Sequence, residues 1–206
     1  SLFKIKKENN DKKFITKIKV GYFSGDFRNH AVFQLTQDLF LNHDKSKFEI
    51  YAYSTFKKEG LERDKIKKSV EKFYDLDHLT DEDIVKLVVS HSLDVVIDLS
   101  GYTAKNKSHL FEYNLSKIKI NYLGFPGTMG TKKYDYIIAD KNIIPEKDLN
   151  FYSEKVLYMP EVYQPFSPQV FDLNIKREEF NLPSNVFIMG CFSRVEKILP
   201  NIFDNW

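Results

Sequence analysis

From Lys17 onward, short β-rich apolar runs alternate with stretches whose apolar residues recur at helical spacing. KIKVGYFS (17–24) predicts a strand and Ala31–Leu41 a helix; FEIYAYST (48–55) predicts a second strand and Leu61–Val70 a second helix. Ile84–Val89 repeats the helical spacing behind Thr80, a capping residue, with Asp81 and Glu82 suited to the positive end of a helix. DVVIDLS (94–100) is apolar almost throughout, as a strand buried on both faces must be. A helix over Lys107–Leu115 and strands over IKINYLGF (118–125), YDYIIAD (134–140) and KVLYM (155–159) complete the series. Strands separated by helices of this length build βαβ units. The pattern therefore predicts an α/β fold, a Rossmann-like, mostly parallel sheet with DVVIDLS and IKINYLGF central.

The pattern breaks at both ends. Residues 1–16 are polar and lysine-rich, with seven lysines inside residues 1–19, and read as a solvated basic linker rather than an arm for an acidic partner. The regular lobe spans 17–160. Residues 161–185 hold Pro165, Pro168 and Pro183, directly after Pro160, and read as a connector. VFIMGCFS (186–193) then predicts a new strand feeding a helix from about Ile198 to Trp206. No Gly, C-cap or proline stops that helix, so 186–206 reads as the first strand and helix of a truncated second lobe, and the sequence as a fragment.

Composition narrows the function classes. With 206 residues, 42% hydrophobic and 15% aromatic, the chain is too apolar for disorder and long enough to bury a core. A net charge of +2 gives no argument for nucleic acid. Cys191 stands alone, which excludes an internal disulfide and a cysteine-rich zinc site and fits a reducing compartment. No apolar run approaches the roughly 18 residues of a membrane span, and the start lacks a signal-peptide core, so no membrane role and a cytoplasmic location are expected.

In open α/β sheets, ligands bind beyond the C-terminal ends of the strands, so those loops are where chemistry is expected. SGDFRNHA (24–31) places Asp26 and His30 there, with Asn29 as the expected N-cap and His30 in the first helical turn. The positive helix end would disfavour a charged imidazole and leave a neutral base; a purely local capping role is equally open. DLSGYTAK (98–105) offers Gly101 and Thr103 beside Ser100. LGFPGTMG (123–130) has three glycines at spacing three, which lets backbone approach a ligand as in phosphate cradles, or makes a plain tight turn. It has neither GK[ST] nor GxGxxG. In CFSRVEKILP (191–200), Lys197 enters near a helix start, where an ammonium and free N–H groups hold diphosphates; a solvated lysine is the plainer reading. Asp81-Glu82-Asp83 superficially offers a metal-binding DxD, but its place at a helix start assigns it to capping. His43, His78, His91 and His109 share no metal-ligand spacing.

Taken together, GYFSGDFRNHA, DVVIDLSGYTA, NYLGFPGTMG, DYIIAD, YSEKVLYMPEVYQP and GCFSRVEKILPNIFDNW resemble, in this order and spacing, the catalytic region of the O-linked N-acetylglucosamine transferase (OGT/SPINDLY) family, glycosyltransferase family 41. The likeness runs from about Lys17 to Trp206. It implies the amino-terminal lobe of a two-lobe GT-B enzyme that moves a sugar, N-acetylglucosamine from UDP-GlcNAc, to Ser/Thr hydroxyls of proteins, with inversion and without a metal or other cofactor. Upstream tetratricopeptide repeats and an acceptor protein or peptide are the implied partners. The resemblance makes His30 and Lys197 the catalytic residues, His30 at the acceptor and Lys197 at the diphosphate. Asp26, Gly101, Tyr102, Thr103, Gly124, Pro126, Gly127, Thr128 and Arg194 are the implied substrate-binding residues. The family's Gln and Tyr before that lysine are Arg194 and Glu196 here, and the His after its Met-Pro pair is Glu161, which leaves the donor open. O-fucosyl or N-glucosyl transfer, or a non-catalytic Rossmann-like interaction module, are the alternatives.

Overall fold

The computed structural model describes residues 16–165 and 174–205. The stretch expected to be a linker, Thr16 apart, lies outside the described residues. The chain divides into two compact units, Ser1–Ser167 and Pro168–Trp206.

The first unit runs β1 (Ile18–Ser24), α1 (Ala31–Leu41), β2 (Phe48–Ser54), α2 (Leu61–Ser69), β3 (Lys72–Asp75), α3 (Asp81–Ser90) and β4 (Leu93–Asp98). A 3₁₀ turn (Ser108–Glu112), β5 (Ser116–Tyr122), β6 (Tyr136–Ala139), a second 3₁₀ turn (Glu146–Phe151) and β7 (Lys155–Tyr158) follow. The seven strands make one sheet in the order β3-β2-β1-β4-β5-β6-β7. Every neighbouring pair is parallel, with Val20 beside Val95 and Phe23 beside Asp98 where β1 meets β4. The order reverses between β1 and β4, and this switch point opens the crevice in such sheets.

Strand alternation divides the core into two layers. Tyr22, Ala52 and Ile97 point to one face, where Phe33 and Phe40 of α1 and Ile66 of α2 cover them. Phe23, Tyr53 and Val96 point to the other, under Ile84 and Val88 of α3 and Phe111 of the first 3₁₀ turn. Full burial of a side chain such as Phe40 or Ile84 contributes about 1.5–3 kcal/mol, so both layers are needed.

Four local expectations give way. β3 was not anticipated, because KFYD is only four residues long and sits at the sheet edge. The helix expected over Lys107–Leu115 is the short 3₁₀ turn. Asn106 ties down its start through the Ser108 N–H and hydroxyl, and the buried Lys119 ammonium takes the Phe111 and Tyr113 carbonyls at its end. The strand expected over Val186–Ser193 does not form: the second unit has no strand among the described residues, and an extended segment without a ladder partner has nothing to hold it. The helix expected from Ile198 shrinks to α4 (Pro200–Phe203).

Candidate functional site

The β1–α1 turn builds the first part of the site. Ser24 Oγ accepts the Asp26 N–H at 2.9 Å, which folds the chain back and buries Asp26 to 4% exposure. Arg28 Nη2 donates to Asp26 Oδ1 at 2.8 Å. His30, not Asn29, caps α1: its backbone is extended and its Nδ1 accepts the Val32 N–H at 3.3 Å. Asp26 Oδ2 lies 3.4 Å from the same Nδ1. The two neighbours want opposite things of that nitrogen. While it accepts from Val32, the neutral ring carries its hydrogen on Nε2; with the hydrogen on Nδ1, Asp26 is the acceptor and Nε2 is free to take a proton.

The second part lies beside it across the switch point. Asp98 ends β4, 2% exposed, and accepts the Ser100 and Gly101 N–H groups at 2.9 and 3.0 Å and the Tyr134 hydroxyl at 2.7 Å. Burial raises its pKa against the pull of those three hydrogen bonds. Ser100 Oγ accepts the Gly25 N–H at 3.4 Å, which ties this loop to the β1–α1 turn. Thr103 donates to the Ser100 carbonyl at 2.8 Å. Tyr102 donates to the Met129 carbonyl at 2.6 Å and meets the Phe125 ring edge-on at 5.5 Å. The loops Gly101–Thr103 and Gly124–Gly130 are therefore in contact.

The glycine loop is not a vacant cradle. The Gly124 N–H goes to the Tyr122 carbonyl, Met129 N–H to Glu154 and Gly130 N–H to Thr128 Oγ1. Thr128 donates to Glu154 at 2.8 Å, Tyr152 donates to the Pro126 carbonyl, and Asn121 donates to the carbonyls of Phe125 and Gly127. The tight-turn reading fits, and the hydroxyls of Tyr102, Thr103 and Thr128 offer a ligand their lone pairs, not their hydrogens.

Arg194 and Lys197 belong to the second unit. Both are exposed: Lys197 ends the 3₁₀ turn Val195–Lys197 and Arg194 precedes it as N-cap, with the Lys197 N–H donating to the Arg194 carbonyl at 2.9 Å. Asp81 lies in the first turn of α3, as its capping reading requires, and its carboxyl is pulled down by hydrogen bonds from Lys107 and His109. Among the described residues no group of three or more His, Cys, Asp or Glu is arranged to hold a metal ion. Sequence reasoning missed Asp98, Asn121 and Glu154, the buried groups that pin the loops. For Asp98 the signal was present: a carboxylate inside an otherwise apolar strand must have partners.

The family model for glycosyl transferase family 41 matches residues 2–166. The chain belongs to glycosyltransferase family 41. It is 30% identical over 198 residues to the probable UDP-N-acetylglucosamine–peptide N-acetylglucosaminyltransferase SEC of Arabidopsis thaliana, covering 92% of this chain and 20% of that protein. It is 30% identical over 149 residues to the Caenorhabditis elegans UDP-N-acetylglucosamine–peptide N-acetylglucosaminyltransferase, 71% of this chain and 13% of that one. The probable SPINDLY transferase of Arabidopsis thaliana is 24% identical over 193 residues. A solved mutant of the Thermobaculum terrenum O-GlcNAc transferase superposes with a TM-score of 0.72 at 24% identity, covering 74% of this chain and 29% of that one. This family 41 chain spans about a fifth of the length of the first curated relative it matches. Its seven-stranded parallel sheet is the fold shared with that solved transferase. Among the described residues no helix is long and apolar enough to cross a membrane.

Proposed function

We propose that this chain serves a protein glycosyltransferase that moves N-acetylglucosamine from UDP-GlcNAc to Ser or Thr hydroxyls, with inversion and without a metal, and that its first unit supplies the acceptor side. The observation that carries the reading is the Asp26–His30 pair beside the β1/β4 switch point, in a chain whose relatives are named as UDP-N-acetylglucosamine–peptide transferases. In this reading the acceptor oxygen attacks the anomeric carbon as the bond to the UDP β-phosphate oxygen breaks. The hydroxyl proton passes to His30 Nε2, and Asp26 holds the hydrogen then carried by Nδ1. That requires Nδ1 to release the Val32 N–H, at a cost of about 1 kcal/mol, the value of a helix cap. Lys197 would face the departing diphosphate, where a positioned cation is the larger contribution to rate. A general base adds about 10²–10⁴-fold.

The test is transfer from UDP-GlcNAc, UDP-Glc and GDP-Fuc to a Ser/Thr peptide, followed by mass spectrometry, with the protein and its His30→Ala variant. Transfer from UDP-GlcNAc that falls with the variant supports the reading. Preference for another donor, or equal rates in the variant, overturns it.

A further inference from the structure

Lysine is a costly residue to place in left-handed backbone, and Lys105 has φ +63°. The penalty for a side chain there is about 1–2 kcal/mol, and glycine or asparagine would carry less of it. The surrounding fold is shaped to hold it. Thr55 donates to the Lys105 carbonyl at 2.6 Å, so the loop after β4 is fastened to the end of β2. Gly25 leaves room for it: a Cβ there would stand 2.8 Å from Lys105 Cβ and 3.0 Å from its carbonyl oxygen.

The result is a pair of cations on one ring. Lys105 Nζ lies 5.1 Å from the centroid of half-buried Phe56, and Arg28 Cζ lies 6.0 Å from the same centroid. Arg28 commits one donor to Asp26, leaving others, and Lys105 forms no ion pair with a carboxylate among the described residues. Lys57 and Lys58 follow Phe56 and are exposed. Two cations drawn to one ring repel each other, and an anion seated between them removes that repulsion. Arg28 is two residues from His30 on the same turn.

We propose that Arg28 and Lys105, gathered on Phe56, form a subsite for the acidic side chains of the acceptor polypeptide, flanking the residue that receives the sugar. This rests on the reading that the acceptor hydroxyl sits at His30. The selected chemistry is a carboxylate within a few residues of the Ser or Thr. The donor diphosphate is the competing anion, and the test separates the two.

Fluorescence anisotropy of the 206-residue chain would compare a Ser-containing peptide flanked by Asp and Glu with its Asn and Gln counterpart, at low salt. Two partly exposed ion pairs predict about three- to tenfold tighter binding of the acidic peptide, shrinking as salt is added. Lys105→Gly, which relieves the left-handed strain and so keeps the fold, and Arg28→Gln should each lower the preference, and together abolish it. UDP affinity should be unchanged in all variants. Equal affinity for the two peptides overturns the proposal, as does a preference that survives both substitutions or a loss of UDP affinity in them. Charge-selective binding without any sugar transfer would refute the proposed function and leave the subsite standing; transfer without charge selectivity would do the reverse.

Discussion

Three glycines in LGFPGTMG look equivalent in the sequence, yet alanine should affect them very differently. A Cβ on Gly124 would lie 2.2 Å from the Leu99 carbonyl oxygen and 3.2 Å from its carbon, both backbone atoms just past the end of β4. Backbone cannot step aside as a side chain does, so the β4 and β5 loops must separate. Overpacking of a rigid site costs about 1–3 kcal/mol and occasionally more, and the absence of any flexible neighbour puts Gly124→Ala at about 3 kcal/mol. Gly130 has φ +64° with nothing within 4 Å, so alanine there meets only backbone strain, about 1 kcal/mol. Gly127 faces the Phe125 ring at 2.9 Å, a side chain that can rotate, and Gly127→Ala should cost under about 1 kcal/mol. At about 2–4 °C per kcal/mol for a chain of this size, Gly124→Ala should melt about 6–12 °C low and Gly130→Ala about 2–4 °C low. Thermal and urea denaturation followed by circular dichroism measures both. If Gly124→Ala is no more destabilised than Gly130→Ala, the close approach of the two loops is wrong.

Other substitutions probe separate parts of the site. His30→Ala should cost about 1 kcal/mol of stability in urea, because the Val32 N–H loses its cap, while His30→Asn restores it. Both variants should lose about 10²–10⁴-fold in transfer rate, and recovery of activity by Asn would refute a base at this position. Asp98 has a raised pKa in the folded chain, so its contribution is fully present below the ordinary carboxylate range and is lost as pH rises through the folded value. Relative to Asp98→Asn, the unmodified chain should lose stability as pH rises above the ordinary carboxylate value of about 4, and denaturation series showing the opposite slope would reject the burial argument. Lys197→Ala should reduce transfer by about 10²–10³-fold with the first unit's melting unchanged; a rate within twofold would remove Lys197 from the chemistry.

Much of the sheet could be read from periodicity because its central strands are apolar on both faces. DVVIDLS became β4 beside β1, and Ala31–Leu41 became α1 without a change of bounds. What escaped depended on partners that no local pattern records. KFYD is a strand only because Tyr53 and Ser54 offer their edge to Tyr74 and Asp75. VFIMGCF has the composition of a strand but no neighbour to pair with among the described residues. The site divides the same way. His30 and the loops were visible as residues between a strand and a helix, whereas the competition of Asp26 and Val32 for one ring nitrogen exists only after the turn folds. The cation pair on Phe56 joins positions 28, 56 and 105, and no spacing rule connects them.

The reversal of strand order between β1 and β4 also imposes a schedule on synthesis. The Lys19 N–H that bonds Asp94 waits for a residue 75 positions downstream. At about 5–20 residues per second, the edge of β1 that β4 will cover stays open for about 4–15 s before β4 is made. Once β2 and β3 have followed, Tyr22 and Phe23 belong to a half-built sheet of β1, β2 and β3 that offers an unpaired, apolar edge to any strand nearby. Slowing of the ribosome just ahead of Leu93–Asp98 would lengthen that exposure, and a nascent-chain-binding chaperone would find its most persistent target there.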